Sequence, residues 1–365
     1  MGLEDFKLKR IDIYIIKKFL GTFVFTMTGI ILIVIVFDVT EKFDKLMIPE
    51  LTLKSIIFDY YSSFIPNFVS IFASLFSFIA VIYFTSKLAD KSEIIAMLSS
   101  GMSLERLMLP YGISAAILAV SMFVLNAYII PPANIKRINF EYTYIFKNKK
   151  KDFDRNVQLQ VEPGVYAYFD QYNNQARMGF RFSMERLEGK TVVSKLSAKS
   201  IKYDSLYNWT IIDYVVRDFE GMYEHISSGT RKDTTLMFVP TDFLIQEGDC
   251  ETMTSPELAK HIKRQKQRGI GNIQSFEIEY HRRIANLFSF FILTVIGVSL
   301  SSYKKKGGMG LNIGIGLGLS FSYILFISIS SSFAISGLVT PMVASWIPNI
   351  LYTFIAIYLY RIAPR

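Results

Sequence analysis

Apolar residues in this chain fall into long unbroken runs toward both ends and into short alternating patterns in the middle. Phe19–Phe37, Tyr60–Ser86, Leu107–Ile135 and Ile284–Tyr303 contain no Asp, Glu, Lys or Arg over 19, 27, 29 and 20 residues. About 20 helical residues cross the roughly 30 Å hydrocarbon core of a bilayer, and a helix satisfies its own backbone where no water is present. Each run therefore predicts one membrane-spanning helix. A fifth charge-free run, Gly307–Tyr360, is 54 residues long, and the turn formers Ser336-Gly337-Leu338-Val339-Thr340-Pro341 divide it into two. Six spans are expected. No small-x-small cleavage site follows Phe37, so the first run reads as a retained helix rather than a signal peptide.

Between the third and fourth spans the period drops to two. Val157, Leu159 and Val161 alternate with polar neighbours, as do Met178, Phe180, Phe182 and Met184; Trp209 and Ile211 continue, after a shift, at Tyr214 and Val216. These are half-buried strands. Turn formers at Pro163-Gly164, Asn173-Asn174, Glu188-Gly189-Lys190 and Asp204–Asn208 recur about every ten residues, which predicts an all-β antiparallel sandwich or jelly roll. Thr254-Ser255-Pro256-Glu257-Leu258 then opens a short basic helix over about 255–268, with Gly269 and Gly271 as its stop. The expected organisation is 1–135 for spans one to three with a short helix at about 90–101, 136–275 for the β domain, and 276–365 for spans four to six.

Composition fits this division. The chain is 51% hydrophobic and only 19% charged, too apolar for an ordinary water-exposed surface. Residues 136–283 hold 44 of the 71 charged side chains. Lysine and arginine crowd the flanks that the positive-inside rule assigns to the cytoplasm: Lys7, Lys9, Arg10, Lys17 and Lys18 before the first span, Lys87, Lys91 and Arg106 after the second, Lys304, Lys305 and Lys306 after the fourth, Arg361 and Arg365 at the end. The loop Asp38–Asp59 has five acids against three lysines and falls outside, as does 136–283. The net charge of +9 then records orientation and anionic lipid contact rather than nucleic acid. A single Cys250 and the scattered His225, His261 and His281 exclude a disulfide framework and argue against a zinc site; no metal or cofactor is expected. Neither a phosphate-binding glycine loop, H-E-x-x-H nor G-x-S-x-G is present. Any work the chain performs takes its energy from elsewhere.

Three groups of residues carry candidate function. In the loop after span two, Asp90 and Glu93 have capping-box spacing and Gly101 stands where a helix C-terminal glycine belongs. The helix between them shows Ile94, Ile95, Met97 and Leu98, too apolar for water: it either packs on the protein's own spans or docks a cytoplasmic partner, offering Glu93 to an arginine. Gly310, Gly314, Gly318 and Ser322 form a small-residue stripe in span five, suited to close helix packing or to a seam that opens sideways. At the outer interface Lys42, Lys45, Arg282 and Arg283 either snorkel toward the lipid surface or gather around an anionic head group.

Six spans with a β domain between the third and fourth, the loop Ser92-Glu93-Ile-Ile-Ala-Met-Leu-Ser-Ser-Gly101-Met-Ser103, the exit Asn126-Ala-Tyr-Ile-Ile-Pro131-Pro132, the re-entry Glu279-Tyr-His281-Arg282-Arg283-Ile-Ala and the end Pro341–Trp346-Ile-Pro348-Asn349 together resemble the lipopolysaccharide-export permease family, most like its Bacteroidetes branch. The resemblance covers essentially the whole chain, and the S-E-x-x-x-M-x-x-x-G-x-S loop is its most specific part. It implies a bacterial inner-membrane subunit with a periplasmic jelly-roll-like domain. Its implied partners are a second permease of the same family, a dimer of cytoplasmic ATP-binding subunits, a periplasmic jelly-roll bridge protein and lipopolysaccharide itself. It further implies that the loop helix docks on the ATPase through Glu93, Ile94, Met97 and Gly101, and that spans one and five form a lateral gate. The first span departs from family members that carry a lysine one turn inside its outer end, since the first lysine here is Lys42. A membrane-anchored β-domain receptor or assembly factor without transport activity is the rival reading.

Overall fold

The charge-free runs fold as helices that extend well beyond them. The computed structural model describes residues 8–49, 51–145, 153–189, 191–221, 223–243, 248–267, 273–303 and 308–363. In chain order the helices are α1 (Arg10–Glu41), α2 (Leu53–Asp90), the short α3 (Glu93–Ser99), α4 (Leu104–Ile145), the short α5 (Ser255–Gln267), α6 (Gln274–Ser301), α7 (Gly308–Ile335) and α8 (Pro341–Ile362). Six of them, all but α3 and α5, are long and apolar enough to cross a membrane. The predicted stop at Gly269 and Gly271, the turn residue Lys190 and the flanking charges Lys7, Lys304, Lys305, Lys306 and Arg365 lie outside the described residues. Two compact units result, one of the spans with Glu251–Ser255 and one of the strands with α5.

α2 is the axis of the membrane unit. One face carries Ala73, Phe76, Ala80, Phe84 and Leu88, spaced by three and four residues, and packs with Phe19 and Phe23 of α1 and Tyr111 and Leu118 of α4. Its other face, Phe78 and Ile82, packs with Leu293 and Ile296 of α6, Tyr323 of α7 and Tyr352 of α8. A helix apolar all round belongs in such an interior. Its backbone widens ahead of one proline, as that of α4 does, although a further π turn, Glu141–Ile145, closes α4 with no proline beside it. Pro66 lies inside the helix and Ile56–Tyr61 before it is a widened π turn; in α4 the π turn Leu125–Ile129 precedes Pro131 and Pro132 in the same way. Proline removes one backbone bond and crowds the carbonyl four residues back, and a π turn absorbs the misfit.

The second unit holds one antiparallel sheet of β1 (Phe153–Glu162), β2 (Val165–Asn173), β3 (Met178–Glu188), β4 (Thr191–Ser205), β5 (Asn208–Glu220) and β6 (Tyr223–Thr235), ordered 1-2-3-4-5-6 as a meander. The first four connections fall at the turn formers named from the sequence; the fifth, between β5 and β6, starts at Gly221, which that reading did not single out. The inner face is an aromatic core of Phe169, Tyr172, Phe182, Trp209, Phe238 and Phe243, in which the Trp209 indole donates to the Phe238 carbonyl at 3.0 Å.

A crease runs across this sheet. Asn156, Arg181 and Asp213 have φ of +54°, +51° and +51°, and flanking register pairs align them with Asp170, Lys199 and Thr230 in one row through all six strands. At that row the alternation reverses: inward positions run Phe169 then Tyr172, Ala198 then Ile201, Ile211 then Tyr214. Phe180 and Phe182, expected on one face, are therefore separated, with Phe180 40% exposed and Phe182 1%. The left-handed Arg181 between them is the reason. Each such residue costs about 1–2 kcal/mol, and aligning the reversals keeps the apolar face continuous on one side.

Candidate functional site

α3 lies at the end of the membrane unit where α1 begins. Ile94 is fully buried in the cluster formed by Ile15, Leu88, Leu104 and Leu107, while Met97 and Leu98 pack partly against it. Ile95 is 49% exposed. Packing on the protein's own spans thus accounts for three of the four apolar side chains and leaves Ile95 beside Glu93 on the open side. The Glu93 side chain makes no hydrogen bond or ion pair among the described residues.

The ends of α3 are fixed differently. Gly101, at φ +89°, donates to Leu98 O at 3.0 Å while Met102 donates to Met97 O at 3.3 Å, the paired bonds of a Schellman stop. The capping box expected from Asp90 and Glu93 does not form. α2 stays helical through Asp90, only Lys91 and Ser92 remain to turn the chain, and the left-handed Ser92 becomes an N-cap without a side-chain bond. Glu93 is accordingly the first helical residue rather than the third.

Three of the four basic candidates fall into two networks. Lys42 Nζ lies 2.5 Å from Asp38 Oδ1, also donates to the Tyr60 hydroxyl, and sits 4.9 Å from the Tyr60 ring centroid. Asp38 further accepts from the Tyr60 and Tyr61 hydroxyls, each at 3.0 Å. Lys45 is exposed three residues on. Arg282 and Arg283 both bind Glu279, Arg283 Nε at 2.9 Å. Arg283 is buried, and its Nη1 donates to Met253 O and Ser255 Oγ at 3.0 and 3.1 Å. It also lines a small recess of mixed character, with Ser70, Ser74, Asn126 and Asn286 on the polar side and Met122, Leu287 and Phe290 on the apolar side. Lys42 and Arg283 are held inside the unit; Lys45 and the partly exposed Arg282 face outward.

Of the small-residue stripe, Gly310, Gly314 and Gly318 are open, with nothing within 4 Å of an added Cβ. Ser322 is not part of that open face: its hydroxyl binds Leu319 O at 2.9 Å and the Tyr352 hydroxyl at 2.5 Å. Four-residue steps overshoot a 3.6-residue turn by about 40° each, so three steps carry the line about 120° around the helix, into α8. Close packing inside the unit uses different glycines. A Cβ at Gly297 would press on Phe78 and Val81, and one at Gly316 would strike Ile82.

The sequence profile of the lipopolysaccharide export system permease LptF/LptG family matches residues 13–362. The chain belongs to this family. None of the individually curated proteins matches it. It is accordingly a permease of the lipopolysaccharide export system and a multi-pass inner-membrane protein.

Several structural residues of the permease escape sequence reading. Asn349, noted only as part of a motif, donates to Ala285 O and accepts from the Tyr323 hydroxyl, both at 2.7 Å, tying α6, α7 and α8 together. Asp12, which carried no reading in the sequence, and Arg106, read there only as a topological charge, form a largely buried ion pair across 94 positions of chain. Tyr60 and Tyr61 complete the Asp38 site from the start of α2. No local spacing links such partners, because each pair forms only once the spans are packed.

Proposed function

We propose that this permease is the passive half of a transport conduit that extracts lipopolysaccharide from the inner membrane and passes it to a periplasmic bridge. It pairs with a second permease of its family and is driven by a dimer of cytoplasmic ATP-binding subunits. In this reading the N- and C-termini are cytoplasmic and the β sheet is periplasmic, as the Lys/Arg bias of the flanks directs. Burial of about 0.8 kcal/mol per methylene holds each acyl chain in the membrane, so extraction needs an external energy source.

The observation that carries this reading is α3: anchored by Ile94, closed by Gly101, and presenting a half-buried Glu93, unpaired among the described residues, beside an exposed Ile95. A carboxylate so placed suits an arginine on a partner. Lys45 and Arg282 would meet lipid phosphates at the outer rim, with Lys42 and Arg283 bracing them, and the open Gly310, Gly314 and Gly318 face would serve the lateral gate with α1. Ser322, which binds Tyr352, would instead anchor α7 to α8.

Replacing Glu93 with Ala tests the coupling. The expected result is loss of ATPase copurification, or a fall of about tenfold in lipopolysaccharide-stimulated ATP turnover, the size of an ordinary coupling free energy. Unchanged extraction by Glu93→Ala would remove α3 from the drive path.

A further inference from the structure

Asp12 stands in the first turn of α1 and Arg106 in the first turn of α4, and their side chains meet as a two-pronged fork. Arg106 Nη1 donates to Asp12 Oδ1 at 2.8 Å and Nη2 to Oδ2 at 2.5 Å. Asp12 is 1% exposed, and its Oδ2 also accepts the backbone N–H of Lys9 at 2.6 Å. A forked guanidinium–carboxylate pair fixes orientation as well as separation. Such a pair, once buried, resists parting, because separation leaves two charges without partners.

The fork lies in the same packed region as the coupling helix. Ile94 of α3 shares one buried cluster with Ile15 of α1 and with Leu104 and Leu107 of α4; Ile15 lies within one turn of Asp12, and Leu104 and Leu107 within one turn of Arg106. The chain from α3 to Arg106 has little slack. The Gly101 and Met102 bonds close α3, and Ser103 Oγ at once accepts the Arg106 N–H at 3.2 Å to open α4. A displacement of α3 must therefore move the start of α4, and the fork delivers it to α1. α1 is the least buried of the six spans, with Val24, Phe25, Val36 and Phe37 exposed, although Asp38 ties its far end to α2.

We propose that Asp12 and Arg106 form a rigid clasp that makes α1 travel with α3 and α4 in each transport cycle, so that work received at α3 reaches α1. This rests on the reading of α3 as the coupling helix. Both act as positioning residues, bound to each other, with Asp12 also bound to the Lys9 backbone.

The test uses the complete complex, both permeases with the ATPase, in proteoliposomes containing lipopolysaccharide. Asp12→Cys and Arg106→Cys are combined in a Cys250→Ser background, and extraction per ATP hydrolysed is measured before and after joining the pair with a short bis-maleimide. Without the crosslink, extraction per ATP is expected to fall about tenfold while basal ATP hydrolysis and complex assembly hold. With it, the ratio is expected to return toward the parent value. A merely stabilising pair would change assembly or melting temperature but not this ratio. Should the double-cysteine chain fail to assemble, the charge reversal Asp12→Arg with Arg106→Asp is expected to recover the ratio lost in Asp12→Arg alone. An unchanged ratio before crosslinking, or a crosslinked complex or charge reversal that stays uncoupled, overturns the clasp. A parent complex that hydrolyses ATP yet extracts no lipopolysaccharide overturns the transport reading and the clasp with it.

Discussion

The ring of Phe169 occupies the space that a side chain at Gly179 would need: an added Cβ would collide with its edge and touch Ile201 at 3.0 Å. Both residues flank the crease, and the ring leans across it from β2 to β3. Gly179→Ala is expected to destabilise the sheet by about 1–3 kcal/mol, the ordinary cost of overpacking. Trp209, 6.2 Å from Phe169 between ring centroids, reports the change. Unfolding followed by its fluorescence in a Trp346→Phe background should show an earlier midpoint, and a midpoint at the parent value would mean the ring swings aside freely.

Asn349 bridges two other spans with one amide. Asn349→Leu keeps the volume but removes the second hydrogen bond of the Ala285 carbonyl, which stays bonded within α6, and the Asn349 acceptor of the Tyr323 hydroxyl, a loss of about 1–2 kcal/mol. Melting of the detergent-solubilised chain should drop accordingly, and Tyr323→Phe should cost less in the Asn349→Leu background than in the parent. Additive effects of the two changes would show that they do not share a bond.

The glycines of α7 divide by face. Gly316→Val drives a side chain into Ile82 and should cost about 1–3 kcal/mol, whereas Gly314→Ala meets nothing and should stay within about 0.5 kcal/mol. Detergent melting curves of the two variants decide this. Equal losses would mean that the Gly314 face is packed within the chain after all.

His261 of α5 gives the second unit a pH dependence. Burial against Phe276, whose ring lies 4.8 Å away, followed by the Arg264 charge, pushes its pKa below the ordinary 6.5, with Asp242 opposing. The folded state thus binds fewer protons than the unfolded state over the window just below 6.5. The stabilising contribution is complete above that pH and is lost as pH falls through the folded pKa. Melting of this unit should therefore weaken between pH 7 and pH 5, and His261→Gln should flatten the slope there; an equally steep profile in the variant would assign the loss to other groups.

Much of this architecture was legible from the chain. Lack of charge revealed the spans, and strand alternation with hairpin formers revealed the sheet, including the slip between Ile211 and Tyr214 that marks the crease in β5. The same slip at Arg181 was hidden, because Phe180 and Phe182 look like a regular apolar pair whichever face each adopts. Gly101 could be recognised because a helix stop is local. Asp90 misled for a related reason: spacing identifies a capping box only if the preceding helix has already ended. The partners of Asp12, Asp38 and Asn349 are set by how six helices pack, and nothing in the flanking residues encodes that.

The aligned reversal across β2 to β5 also governs which changes of length the sheet can accept. Hairpin tips can gain or lose residues without affecting the arms. A lone insertion beside Asp170 or Lys199 would instead turn one arm inside out against both neighbours, presenting its aromatic side chains to water. Length variation in this domain should therefore collect at the tips and leave the row from Asn156 to Thr230 untouched.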